Sequence, residues 1–305
     1  MNQKFAVIIV TYNRLELLKE CLECIRQQKL EPNSVVIIDN HSTDGTGEYL
    51  NSIPEIKDNK WILKTESQNI GGSGGFYDGM KLSMDTDSDW FLLIDDDAMI
   101  APDYLKLITE SIISHPKILA FSGTVVTDNK IVTEHRRRLN KYEVVVDEKE
   151  YLNDEFEYDL SSFCGAVVNR KVIETVGFPE RDFFIWYDDT EYSLRIMSVS
   201  KFVNVNAAVL NHKTKNSSVA AKETKSKMNW KTYYGYRNII YSHLKHNMVY
   251  LGIRCHVFSW LKDVIVDCLN PNINKEISQY NLKLVITAIF DGIRGKLGFN
   301  EKYRP

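Results

Sequence analysis

The chain predicts an α/β fold, a mostly parallel sheet with helices on both faces, followed by a helical C-terminal region. Three observations predict it. Short apolar runs alternate with amphipathic runs through the first third of the chain. Those short runs are uniformly apolar, as strands covered on both faces are, rather than alternating as in a sheet with one wet face. From Lys227 the pattern turns helical and stays so to about residue 297.

In order, Phe5–Thr11 reads as a buried strand, Leu15–Gln28 as an amphipathic helix and Val35–Asp39 as a second strand. Trp61–Thr65 is a third strand and Gly74–Met84 a helix. Trp90–Ile94 is a strand that runs into three aspartates. Pro102 suits the first turn of a helix reaching about Ser114. Ile118–Val126 reads as a strand. Thr127–Leu160 is polar and charged, with Arg136–Arg138 inside it, and reads as an excursion or flexible loop. Phe163–Asn169 is strand-like and leads into a helix to Val176. Asp188–Ser198 is a short helix and Phe202–Leu210 a strand. The helical tail breaks at Asn270–Pro271. The domain boundary is placed near residue 222, giving a region 1–222 and a helical region 223–305.

Bulk properties narrow the class. The 305 residues are 44% hydrophobic and 26% charged, the composition of a globular protein with a sizeable core. A net charge of -3 does not suggest a nucleic-acid partner. The charge is unevenly spread: from Lys225 onward there are 13 Lys/Arg against 5 Asp/Glu, so a basic tail of +8 follows a body of -11. No apolar run approaches the roughly 18 residues of a membrane span; Leu284–Phe290 is far too short. Phe5–Val10 leads directly into a polar turn, which is not the shape of a signal peptide. Five scattered cysteines, an odd number, suggest a reducing cytoplasm. Cys21 and Cys24 form a CxxC on a helical pattern and read as buried small side chains.

Asp95-Asp96-Asp97 carries the most chemistry. Three adjacent carboxylates at the end of Phe-Leu-Leu-Ile repel one another, and a divalent cation with hard oxygen ligands, Mg²⁺ or Mn²⁺, relieves that. In extended geometry Asp95 and Asp97 share one side and Asp96 faces the other. The plainer reading is a solvated acidic turn. Asn69–Phe76 is a glycine-rich turn that permits close approach of a ligand at a helix start. It is not a dinucleotide fingerprint, because Tyr77 stands where the third glycine belongs, and no Lys-Ser/Thr makes it a P-loop. Asp188 and Glu191 have capping-box spacing. That leaves Asp189 free to project into a cleft as a base. His212 ends a strand and acquires a role only as a nitrogen ligand beside the aspartates.

Taken in order, Val-Ile-Ile-Val-Thr-Tyr-Asn-Arg, Ile-Ile-Asp-Asn, Asn-x-Gly-Gly-x-Gly-Gly-Phe, Asp-Asp-Asp, Trp-x-Asp-Asp-x-Glu-Tyr-x-x-Arg and Asn-His resemble an inverting family 2 glycosyltransferase of the GT-A fold, over residues 4 to about 245. The loop ending in Phe76 most resembles bacterial galactofuranosyltransferases, with related rhamnosyltransferases carrying looser versions. The resemblance implies that Thr11, Asn13, Asp39 and Asn69, with Asp95 and Asp96, bind the donor. It implies that Asp95, Asp97 and His212 hold Mn²⁺ or Mg²⁺, and that Asp189 is the general base. Galactofuranan polymerases carry large extra domains that this chain lacks, which favours a single-addition enzyme.

The implied reaction moves a sugar from a UDP-sugar, UDP-galactofuranose first, to a glycan or lipid-linked glycan acceptor. Two readings compete: a non-catalytic nucleotide-sugar-binding scaffold, and a dehydrogenase that the failed glycine fingerprint disfavours. A homo-oligomer is compatible with the sequence. The tail, residues 225–305, combines its +8 with Trp230, Tyr233, Tyr234, Tyr236, Tyr241, Tyr250, Phe258 and Trp260. That mixture suits peripheral contact with the cytoplasmic face of a membrane at headgroup level. The alternative is that these aromatics pack the tail helices.

Overall fold

The computed structural model describes residues 3–213, 227–248 and 256–304. They divide into two compact units, Met1–Arg181 with Asp189–Thr214, and Asp182–Asp188 with Lys215–Pro305. The boundary expected near residue 222 lies outside the described residues.

The first unit runs β1 (Phe5–Thr11), α1 (Leu15–Arg26), β2 (Ser34–Asp39), α2 (Thr46–Ser52), α3 (Pro54–Lys57), β3 (Ile62–Thr65), α4 (Gly71–Ser83), β4 (Trp90–Asp95), β5 (Ala98–Ile100) and α5 (Tyr104–Ser114). It continues with β6 (Ala120–Thr127), β7 (Lys130–Ile131), β8 (Arg136–Leu139), β9 (Glu143–Val145), β10 (Glu155–Tyr158), β11 (Leu160–Ser161), β12 (Ala166–Asn169), α6 (Arg170–Val176), α7 (Asp188–Ile196) and β13 (Phe202–His212). Ten strands form the main sheet, in the order β10-β13-β6-β12-β4-β1-β2-β3, with β5 on β13 and β7 on β6. The β4-β1-β2-β3 portion is parallel. β12 enters it antiparallel, between β4 and β6.

Burial explains the uniform apolar runs. All seven residues of β1 are buried. Phe5, Val7 and Ile9 join one core with α1 and α5, while Ala6, Ile8 and Val10 join a second with α4. β1 alternates its side chains between two dry layers, so its positions before Thr11 are all apolar. Fully burying one such side chain contributes roughly 1.5–3 kcal/mol.

Two expectations need correction. The helix expected from Gly74 begins at Gly71, so the glycines lie within its first turns rather than in a turn before it. Helix–sheet packing is the reason. A Cβ on Gly75 would stand 2.5 Å from Val10, and one on Gly79 2.5 Å from Ile8. These two glycines, one helical turn apart, let α4 lie directly on β1. The second correction concerns Thr127–Leu160. It is built structure, not a loop: β8 pairs with both β9 and β11 in a small antiparallel sheet, and β10 joins the main sheet beside β13. Arg136 is fully buried there, donating to the carbonyls of Gly123 and Cys164 and to the Asn204 side chain, which is why a charged run could fold inward.

The second unit contains α8 (Trp230–Lys245), α9 (Phe258–Leu269) and α10 (Lys275–Arg294). Asn229 and Asn274 cap α8 and α10, and Gly295 ends α10 in a left-handed conformation. Its core includes Phe184, Tyr233, Tyr234, Val264, Leu284, Val285, Ala288, Ile289 and Tyr303. Tyr236 stacks on Trp260 with centroids 3.7 Å apart, and Trp230 meets Tyr234 edge-on. Trp230, Tyr233, Tyr234, Tyr236 and Trp260 therefore pack helices to one another, whereas Phe258 is exposed and Tyr250 lies outside the described residues. Within the same unit, Asn238 donates to the carbonyls of Phe183, Ile185 and Trp186, and Arg237 to those of Asp182, Phe183 and Gly298. The clamped segment is strained: Phe184, Trp186 and Tyr187 all have φ between 66° and 71°.

Candidate active site

The parallel strands end at one edge, and their last residues supply the site. Thr11 closes β1, Asp39 closes β2 in register with it, and Asp95 closes β4 opposite Val10. The chain turns at Asp96–Asp97 and returns as β5, which pairs antiparallel with the end of β13. That ladder sets His212 opposite Ala98, and Lys213 N–H donates to the Asp97 carbonyl. A histidine 115 positions after Asp97 is thereby held against it, with His212 Nε2 3.0 Å from Asp97 Oδ1. Asp95, Asp97 and His212 each present one ligand atom, all within 4.8 Å of one another.

Asp96 faces elsewhere. Its Oδ2 accepts from Thr11 Oγ1 at 2.8 Å, and its Oδ1 from Arg14 Nη1 at 3.2 Å. Arg14 Nη1 also reaches Asp97 Oδ2 at 2.6 Å. Asp39 Oδ1 accepts from Ser42 N–H, and Asn13 Oδ1 from Thr43 N–H. Asn69 Oδ1 accepts from Gly71 N–H. Asn40, beside Asp39 at the end of β2, fixes the same turn: its side chain accepts from Ile70 N–H and donates to the Gly71 carbonyl.

Electrostatics in the aspartate cluster are uneven. Burial, then the Asp97 charge, pushes the Asp95 carboxyl up to about 7. Burial lifts Asp96 to about 6 against the pull of Arg14 and the Thr11 hydroxyl. Burial acts on Asp97 too, but the His212 hydrogen bond and charge, with Arg14 behind them, outweigh it and hold that carboxyl below its ordinary range. His212 is raised, because Asp97 and Asp95 overcome the burial that opposes its charging. The donor set, two carboxylate oxygens and one imidazole nitrogen, fits Mn²⁺ or Mg²⁺. A bound cation would favour the ionised form of Asp95 against both its burial and the Asp97 charge.

Asp189 lies in the first turn of α7, half-buried. Its Oδ1 accepts from Thr190 N–H at 2.5 Å and from Thr190 Oγ1 at 3.1 Å. Arg137 of β8 donates through Nη2 to Thr190 Oγ1 at 2.6 Å and pairs with Glu143 of β9. Burial pushes the Asp189 carboxyl above its ordinary range, while Arg137 and the Thr190 hydrogen bonds pull it back and Glu143 adds to the rise. Two other charged residues of this motif, Glu191 and Arg195, hold the helix in place. Glu191 is fully buried against Arg195, which also donates to the carbonyls of Val176 and Phe178. Beside the metal-type cluster, His135 meets the His212 ring edge-on and bonds Ser162. Burial and the Arg136 charge push His135 down to about 3, so its ring is neutral. Arg14 falls in the segment Thr11–Arg14 at the carboxyl end of a parallel strand, where ligands bind, but no residue pattern assigned it a role of its own. Arg137 and His135 sit in the stretch that read as a loop, and no periodicity marked them.

Comparison with known proteins agrees with this geometry. The glycosyl transferase family 2 model matches residues 6–177. A galactofuranosyltransferase GlfT1 of Mycolicibacterium smegmatis is 26% identical over 198 residues, 62% of this chain and 64% of that protein, so the match spans less than two thirds of its length. The dTDP-rhamnosyl transferase RfbF of Shigella flexneri is 24% identical over 316 residues, 98% of each chain. Among solved structures, GalNAc-T7 crystallised with UDP, GalNAc and Mn²⁺ superposes with a TM-score of 0.63 at 13% identity, covering 96% of this chain and 57% of that one. A UDP complex of S. aureus TarS superposes at 0.57 and 16% identity, covering 99% and 98%. These likenesses establish the fold as GT-A. With its family model matched over more than half of the sequence, the chain belongs to glycosyl transferase family 2.

Proposed function

We propose that this chain is an inverting glycosyltransferase that moves a sugar from a UDP-sugar to a glycan or lipid-linked glycan acceptor at the cytoplasmic side of a membrane. One observation supports the reading above the others: Asp95, Asp97 and His212 converge at the same sheet edge as Thr11 and Asp39. In this reading Thr11, Asn13, Asp39, Asn69 and Asp96 bind the donor, and Asp95, Asp97 and His212 would hold the metal. A bound divalent cation would screen the charge that develops on the departing diphosphate.

The remaining steps belong to the chain's own groups. Arg14 would add a second positive charge at the diphosphate end of the site. Asp189 would take the proton from the acceptor hydroxyl as its oxygen attacks the anomeric carbon. A carboxyl raised by burial is the stronger base for that transfer. No enzyme nucleophile takes part, so configuration inverts.

Galactofuranose from UDP-galactofuranose is the proposed sugar, on the likeness to GlfT1. A rhamnosyl donor is the second reading, because the match to RfbF runs over nearly the whole of both chains. Purified protein incubated with a panel of nucleotide sugars, Mn²⁺ and a lipid-extract acceptor distinguishes them by the nucleotide released. UDP release confined to UDP-galactofuranose supports the first reading. Faster release from a dTDP-rhamnose donor replaces the sugar, and donor binding without release from any of them leaves a binding scaffold.

A further inference from the structure

We propose that α9 and α10 form a docking face for an anionic lipid surface. Sixteen large hydrophobic side chains are exposed among the described residues, and eight of them fall between Phe258 and Phe299. They are not scattered. On α9, Phe258, Ile265 and Leu269 recur at helical spacing with Lys262 between them. On α10, Lys283, Ile286, Phe290 and Ile293 form a second such stripe, with Arg294 beside it. Residues so spaced share one face of a helix.

Both helices turn their other sides inward. Val264 of α9 and Leu284, Val285, Ala288 and Ile289 of α10 are buried with Tyr233 and Tyr234 of α8. The two helices follow one another across the short loop 270–274 and pack together, so they form a hairpin with α8 behind it. An apolar ridge of this kind on a water-facing surface marks a contact site.

Charge selects the partner. Between residues 256 and 304 seven Lys/Arg are exposed against three exposed Asp/Glu, while Asp267 and Asp291 are buried. Apolar side chains flanked by lysine and arginine match a bilayer interface with anionic headgroups. A second copy of the chain fits less well, because a two-fold contact would set the same positive face against itself. Among the described residues no helix is long and apolar enough to cross a membrane, so the hairpin would lie in the interface. This deepens the reading of a lipid-linked acceptor: docking would hold the enzyme at the surface where that acceptor resides.

The test uses the full chain and vesicles of phosphatidylcholine with and without phosphatidylglycerol. Co-sedimentation with the anionic vesicles is expected at low salt, falling as salt rises, with little on the neutral ones. Lys262→Ala and Lys283→Ala should each weaken partition about fivefold. The double variant Ile286→Asp, Phe290→Asp should lose retention while its circular dichroism and melting temperature stay those of the wild type, since both side chains are exposed. No retention of the wild type on anionic vesicles at low salt overturns the proposal, as does a double variant retained like the wild type. Sedimentation showing a dimer that the double variant dissolves, with no vesicle binding, would make the face a self-interface instead. Nucleotide release with a soluble acceptor should be unchanged in these variants. That readout tests the catalytic proposal, so either idea can fail alone.

Discussion

Replacing Arg137 with glutamine should move the acidic limb of the pH–activity profile upward. Arg137 Nη2 lies 2.6 Å from Thr190 Oγ1, which lies 3.1 Å from Asp189 Oδ1, so guanidinium and carboxylate are no more than about 6 Å apart. At an effective dielectric of about 20 such a pair attracts by roughly 2.8 kcal/mol. That corresponds to about 2 pKa units, at about 1.36 kcal/mol per unit. Glu143, paired with Arg137, offsets part of this, so a shift of about 1 unit is expected. The sign follows from charge. Removing the cation disfavours ionised Asp189, its already raised pKa rises further, and the base is available only at higher pH. Glu143→Gln removes a negative charge and should move the limb the other way. Nucleotide release measured across pH at subsaturating acceptor gives the kcat/KM profile directly. Two profiles that superpose on the wild type refute the coupling. Shifts of the same sign refute the electrostatic account of it.

Two further outcomes follow. Asp189→Asn keeps the shape of the side chain and removes its basicity, so turnover should fall by about 10²–10⁴ with donor affinity unchanged, read by stopped assay and calorimetry; wild-type turnover would leave Asp189 a helix-start residue. Asn238→Ala strips the donor from the carbonyls of Phe183, Ile185 and Trp186, and should cost about 1–3 kcal/mol in denaturant unfolding. An unchanged midpoint would mean that water replaces the amide.

The parts of this molecule most legible in the sequence are those governed by burial. β1, β2 and β4 are dry on both faces, so their apolar runs mark them and their ends point to Thr11, Asp39 and Asp95. What escaped depends on long-range pairing. β5 is three residues long, too short to show a period, yet its pairing with β13 is what brings His212 to Asp97. Arg136 and Arg137 read as solvated charges because their acceptors, Asn204, Gly123, Cys164 and Thr190, lie far along the chain or on its backbone. The glycines of α4 read as a flexible turn because their contacts with Ile8 and Val10 cross from helix to sheet. In the tail, helical spacing placed the aromatics, but which face was buried depended on three helices meeting.

The central claim is that Asp95, Asp97 and His212 make a metal-dependent donor site. Calorimetric titration of UDP into wild type and Asp97→Ala, each with and without Mn²⁺, tests it most directly. Mn²⁺ should tighten UDP binding to the wild type and leave Asp97→Ala, folded by circular dichroism, at its metal-free affinity. Equal Mn²⁺-dependent tightening in both proteins would contradict it.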